Sequence, residues 1–119
     1  MNMHLRLLTL AALLGITLTA CGGSGELPPL DITLTALDIK WDADNIEVLA
    51  GQTVTLTLVN EGALDHNFEI SELGIDIDIP AGTTEVTTFI APQPGVLDFV
   101  CNVPGHLEAG MEGSITVSE

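Results

Sequence analysis

Four side chains, His66, Cys101, His106 and Met111, are the residues of this chain best suited to hold a metal that changes oxidation state. His66 stands alone. The other three share one segment, Cys101-Asn102-Val103-Pro104-Gly105-His106-Leu107-Glu108-Ala109-Gly110-Met111. Imidazole suits both Cu(II) and Cu(I), thiolate supplies covalency, and a distant thioether favours neither geometry strongly. Two imidazoles and a thiolate in a plane with a weak axial Met are the donors of copper electron transfer. Beyond residue 20 the chain has no other His or Met, and its one other Cys is Cys21. Taken singly, His66 reads as a surface histidine, Cys101 as a small core residue and Met111 as a gap filler. Taken together they form one coherent donor set. Zinc is the chemical rival, but structural zinc selects thiolate, imidazole and carboxylate, and thioether is a poor ligand for it. A Cys21–Cys101 disulfide would leave two His and a Met without a role.

The elements that must position these residues read as strands. Ile32, Leu34 and Ala36 alternate with Thr33 and Thr35, and Leu37, Ile39 and Trp41 with Asp38 and Lys40. The phase slips by one residue at Ala36-Leu37, which reverses the buried face and predicts a bulge or bend there. Ile46–Leu49 is a short strand before the turn Ala50-Gly51-Gln52. Val54, Leu56 and Leu58 alternate with Thr53, Thr55 and Thr57, the clearest half-buried strand. His66–Ile70 follows the turn Asn60-Glu61-Gly62, and Ile75, Ile77 and Ile79 alternate with two Asp. Thr83–Ile90, Val96–Val100 and Glu112–Ser118 complete the set. No stretch carries a convincing 3.6-residue apolar period. Seven to eight short strands at turn-marked spacing predict an all-β fold, a β-sandwich. Cys101 then ends one strand, Met111 begins the next, and His106 lies between them.

The first residues read as a targeting segment. Arg6 precedes an apolar run, Leu7–Ala20, shorter than the ~20 residues of a spanning helix. Leu18-Thr19-Ala20-Cys21 resembles the bacterial lipobox, which implies a lipoprotein signal peptide over 1–20 and lipidation of Cys21. Residues 21–30 then form a Gly- and Pro-rich tether with a reach of at most ~30 Å, and 31–119 form a single domain. The expected location is extracytoplasmic, in the periplasm or cell envelope, with the membrane reached through lipidated Cys21.

Charge narrows the partners. Seventeen Asp and Glu oppose only Arg6 and Lys40, a formal net charge of −15. Such a surface repels nucleic acid, so no nucleic-acid partner is expected, and it attracts basic proteins at rates that fall with salt. Generic solubility or adaptation to high salt explains the acidity equally well. Nothing in the sequence calls for an oligomer, so a monomer is expected.

The segment C-x4-H-x4-M, the Pro-Gly before its His, the Gly before its Met, the pair His66-Asn67 and the closing Gly-Ser-Ile-Thr-Val resemble the cupredoxins, the blue type 1 copper proteins of the plastocyanin–azurin superfamily. Auracyanins, halocyanins and rusticyanin are the nearest group. The resemblance spans about residues 45–118. It implies a Greek-key sandwich with one type 1 copper at one end, His66, Cys101 and His106 equatorial and Met111 axial. It implies that Asn67 ties the His66 loop to the Cys101 loop near Asn102, with the Asn67 N–H aimed at the thiolate. It implies that His106 reaches the surface through an uncharged patch, here Leu64, Val103, Pro104, Leu107 and Ala109, where electrons leave. Asp65 departs from the family pattern, and a carboxylate there would favour Cu(II) and lower the potential.

The function so implied is a membrane-tethered one-electron carrier that meets its redox partners transiently and is not itself an enzyme. A copper carrier or storage protein is the alternative, as is an accessory subunit of a larger redox complex. A copper enzyme would need further His, and a binuclear copper site a second Cys in the loop; the sequence has neither.

Overall fold

The structure, a computed structural model, describes residues 25–119. The expected signal peptide, Cys21 with its expected lipidation and the first part of the expected tether lie outside the described residues. Nine strands form in chain order: β1 (Leu30–Leu37), β2 (Lys40–Trp41), β3 (Asn45–Leu49), β4 (Thr53–Asn60), β5 (His66–Ile70), β6 (Ile75–Ile79), β7 (Thr84–Ile90), β8 (Gly95–Val100) and β9 (Glu112–Ser118). They make two mixed sheets, ordered β2-β1-β4-β7 and β3-β9-β8-β5-β6. The pairs β1–β4 and β3–β9 are parallel, and the other pairs are antiparallel. The result is an all-β Greek-key sandwich.

The short additional strand β2 shows what stands at the expected bulge or bend at Ala36-Leu37. The chain turns back there instead: Leu37 pairs with Lys40 and Ala36 with Trp41, closing a hairpin on Asp38-Ile39. Ile39 takes φ of 55°, the one positive φ of a non-glycine residue among the described residues. A β-branched residue is unfavourable there, and neither Gly nor Asn marks the turn. Ile39 packs on the core instead. The phase slip at Ala36-Leu37 marked a break, but the alternation Leu37, Ile39, Trp41 runs on through the reversal, so nothing local distinguished a hairpin from a bulge or bend.

Alternating residues of both sheets meet in the core. Leu34, Leu56, Leu58, Phe68, Ile70, Phe99 and Ile115 are buried there. Phe68 and Phe99 stack with ring centroids 5.3 Å apart, and Trp41 meets both edge-on at 5.7 and 6.1 Å. The Trp41 ring also lies 6.5 Å from that of His66. Three of the four aromatic residues thus form one cluster beside His66. Gly113 makes room for it: a Cβ there would stand 2.3 Å from the Phe99 ring.

The parallel β1–β4 pairing, with Leu30 opposite Val54 and Ala36 opposite Asn60, sets the polarity of the sandwich. The chain enters at one pole, where Gln52 Nε2 donates to the Pro28 carbonyl at 3.0 Å. The ends of β1, β4 and β8 and the starts of β5 and β9 gather at the other pole. All four candidate ligands lie there.

Candidate metal centre

Each ligand is placed by a different constraint. Cys101 follows directly on β8, and its N–H donates to the Met111 carbonyl at 2.9 Å. Met111 N–H donates in turn to the His106 carbonyl at 3.0 Å, and His106 N–H to Val103 at 2.9 Å. Gly105 and Gly110, with φ of 87° and 91°, supply the left-handed turns that fold the loop back over the thiol. His66 opens β5 after the Glu61–Asp65 loop. That loop is held by Asn60, whose Nδ2 donates to the carbonyls of Leu64 and Ile79, both at 2.8 Å, while its Oδ1 accepts Gly62 N–H at 3.0 Å. Asp38 accepts Ala63 N–H and Asp65 accepts Ala81 N–H, each at 2.9 Å.

Three donors converge. His66 Nδ1 and His106 Nδ1 lie 3.1 Å apart, and Cys101 Sγ stands 3.8 Å from the first and 3.5 Å from the second. All three residues are buried. Met111, fully buried, adjoins them through its backbone bonds to Cys101 and His106. Separations of this size are what bonds of about 2.0–2.3 Å to one shared first-row ion span. The three contacts cannot all be ordinary hydrogen bonds, because each Nδ1 either donates or accepts and never both. Cys101 is a free thiol. The group of two imidazoles, a thiol and a buried thioether therefore fits a single copper ion of type 1 chemistry.

His66 binds a proton less readily than an ordinary histidine. Burial is the main cause and the neighbouring His106 the second; the Leu37 carbonyl and the carboxylates of Asp38 and Asp65 act in the opposite direction. A neutral imidazole is the form that binds a metal. Its Nε2 is buried without a hydrogen bond of good geometry.

Asn67 is also buried. Its Oδ1 accepts Asn102 N–H at 2.7 Å, and its Nδ2 donates to Asp76 Oδ1 at 2.9 Å. Asn102 Nδ2 donates to Glu69. His106 keeps 8% of its surface exposed against 2% for His66. Of the residues expected to form the electron-exit patch, Leu64, Pro104, Leu107 and Ala109 are exposed and Val103 is half-buried. Sequence reasoning missed Asn60, Asp38, Glu69 and Asp76, because their roles arise only when distant strands meet.

The fold and donor set define a cupredoxin-type metal protein. The family model for the cupredoxin-like domain matches residues 8–117, and the chain belongs to that family. It is similar to auracyanin-A of Chloroflexus aurantiacus, 27% identical over 99% of this chain and 100% of that protein. It is similar to the copper-resistant cuproprotein CopI of Rubrivivax gelatinosus, 24% identical over 66% of this chain and 60% of the relative. The dithionite-reduced auracyanin of Roseiflexus castenholzii superposes with a TM-score of 0.66 at 25% identity, covering 75% of this chain and 97% of that one.

Proposed function

We propose that this protein is a type 1 copper electron carrier of the cell envelope, tethered to a membrane through lipidated Cys21. The convergence of His66 Nδ1, His106 Nδ1 and Cys101 Sγ within 3.1–3.8 Å carries this reading. His66, Cys101 and His106 would hold the ion, with Met111 as the weak fourth ligand. Bound copper supplies the one-electron Cu(II)/Cu(I) couple. The protein supplies a dry site whose ligands are fixed by packing, so little has to move when the charge changes. The aromatic cluster and the Asn60-held loop fix His66, and the backbone bonds of the 101–111 loop fix the other ligands.

His106 is the path out. It is the more exposed imidazole, and its uncharged surroundings at Leu64, Pro104, Leu107 and Ala109 permit close, short-lived contact with a partner. The likeness to auracyanin-A supports the carrier role. The tether joins the domain at the pole opposite the metal, so the electron-exit surface faces away from the anchored end.

Addition of Cu(II) should give an intense visible thiolate-to-copper band and a narrow-hyperfine EPR signal. The Cys101→Ser variant should lose the visible band. A colourless wild-type protein after copper addition refutes the reading. The likeness to CopI favours a second reading, in which the chain sequesters copper. Cycling with oxidant and reductant separates the two: a carrier recovers its band fully and repeatedly, whereas a sequestering protein does not cycle reversibly.

A further inference from the structure

Glu69 and Asp76 stand directly opposite each other across the β5–β6 pair. Two carboxylates in that relation destabilise a sheet unless something compensates. Each here takes an amide N–H from a different asparagine. Asp76 Oδ1 accepts from Asn67 Nδ2 at 2.9 Å, and Glu69 Oε2 accepts from Asn102 Nδ2. The other Glu69 oxygen accepts Ser71 Oγ–H at 2.6 Å.

The consequence lies at the far end of Asn67. A carboxylate only accepts and a backbone N–H only donates. Asp76 therefore requires the NH2 of Asn67 to face it, which turns Oδ1 toward Asn102 N–H, where it accepts at 2.7 Å. A flipped amide would set Oδ1 against the carboxylate and NH2 against the Asn102 N–H. Asn102 immediately follows Cys101, whose own backbone N–H is used toward Met111.

We infer that Asp76 and Glu69 are positioning residues for the Cys101 thiolate, acting through the amides of Asn67 and Asn102. Asp76 fixes which way Asn67 points, and Glu69 holds the Asn102 side chain from the other side. The like-charged pair on β5 and β6 is thus a clamp on the strand end that carries the thiolate. The inference rests on Cys101 being a ligand only for its purpose; the clamp itself exists without metal.

Amide hydrogen exchange in the full-length, metal-free protein tests it. In wild type, Asn102 N–H should exchange far more slowly than that of exposed Glu108. Asp76→Ala should speed exchange at Asn102 about tenfold or more while leaving Leu56, in the core of β4, unchanged. Asp76→Asn, which keeps an acceptor, should restore most of the protection. In an Asn67→Ala background, Asp76→Ala should add nothing. With copper, Asp76→Ala should shift the thiolate-to-copper band and Asp76→Asn should not. Equal exchange at Asn102 and Glu108 in wild type overturns the inference. So does an unchanged Asn102 in Asp76→Ala, a parallel loss at Leu56, or a full additional effect in the Asn67→Ala background. Because exchange is read without metal, failure of copper to bind would leave that result standing and refute only the carrier reading.

Discussion

His66 feels opposing influences whose balance can be measured. Burial and His106 hold its pKa below the ordinary value of 6.5, while the Asp38 and Asp65 carboxylates pull it upward. In the unfolded chain neither burial nor His106 acts, so below about pH 6.5 the unfolded state binds more protons at this residue than the folded state does. The metal-free protein should therefore lose stability through His66 as the pH falls below about 6.5, until the pH passes the lowered folded value. Protonation of the many carboxylates relieves repulsion and acts the other way. The His66 share is thus the difference between wild type and His66→Asn in urea midpoint, compared at about pH 7.5 and about pH 5.5. An identical pH dependence in both proteins would show that His66 is not depressed. The same two carboxylates should favour Cu(II). Asp38→Asn and Asp65→Asn each keep a hydrogen-bond acceptor and remove a charge. Each should raise the reduction potential, by less than about 59 mV, the tenfold mark for a one-electron couple. Asp38, the stronger of the two on His66, should give the larger rise in protein-film voltammetry. A fall in either variant would contradict the electrostatic argument.

At the scale of elements, two devices hold the ligands and neither is visible in a local pattern. Asn60 ends β4, is 2% exposed, and uses its side chain in three bonds that shape the loop before His66. Asn60→Ala should destabilise the fold by about 1–3 kcal/mol, the usual result of leaving buried polar groups without partners. A lowered urea midpoint at unchanged slope would report it. Gly113→Ala drives a methyl group into the Phe99 ring and should cost about 1–3 kcal/mol through overpacking. Red-shifted Trp41 fluorescence would show that the aromatic cluster has opened. The strands themselves were legible: period-two alternation located β1, β4 and β6, and turn signals with β-rich composition located β3, β5, β7, β8 and β9. The Cys101–Met111 loop was legible too, because its three donors and His66 are the only His and Met beyond residue 20 and the only Cys there besides Cys21, a pattern in composition as well as spacing. The hairpin at Asp38-Ile39 was not, since Ile39 occupies a backbone region its side chain disfavours and only the β1–β2 pairing holds it there. Asn60 read as an ordinary turn residue, because its bonds to Gly62 and Leu64 are local turn bonds and the one to Ile79 arises only when β6 packs beside β4 in the folded sandwich. Gly113 likewise read as a plain strand residue, since the ring it accommodates belongs to β8.

On the scale of the whole molecule the charge is distributed unevenly. Glu47, Glu69, Asp76, Asp78, Asp98 and Glu112 share the outer face of the five-stranded sheet, as the cross-strand register requires. The outer face of the four-stranded sheet carries Asp31, Lys40 and a field of Thr and Val, with Thr33 opposite Thr57 and Thr57 opposite Val86. The protein is therefore polarised sideways, and the acidic side reaches the His106 loop, where Leu107 shares a groove with Asp44, Asp98 and Glu112. A cationic acceptor would be drawn toward the acidic side and then settle on the apolar tip. These two stages respond differently to salt and to mutation. Steering weakens as the Debye length shortens, from about 10 Å at 0.1 M salt to about 3 Å at 1 M. Asp98→Lys should slow electron transfer to a cationic acceptor at low salt and have little effect at high salt. Thr57→Lys, on the neutral face, should do less at any salt. Leu107→Lys, at the tip, should slow the reaction even at high salt, because it disrupts contact as well as attraction, and should leave the visible band intact. Stopped-flow traces across a salt series distinguish these outcomes. If Asp98→Lys and Thr57→Lys slow the reaction equally, net charge alone governs encounter and the sidedness of the sandwich has no part in it; if Leu107→Lys is silent, electrons leave elsewhere than through His106.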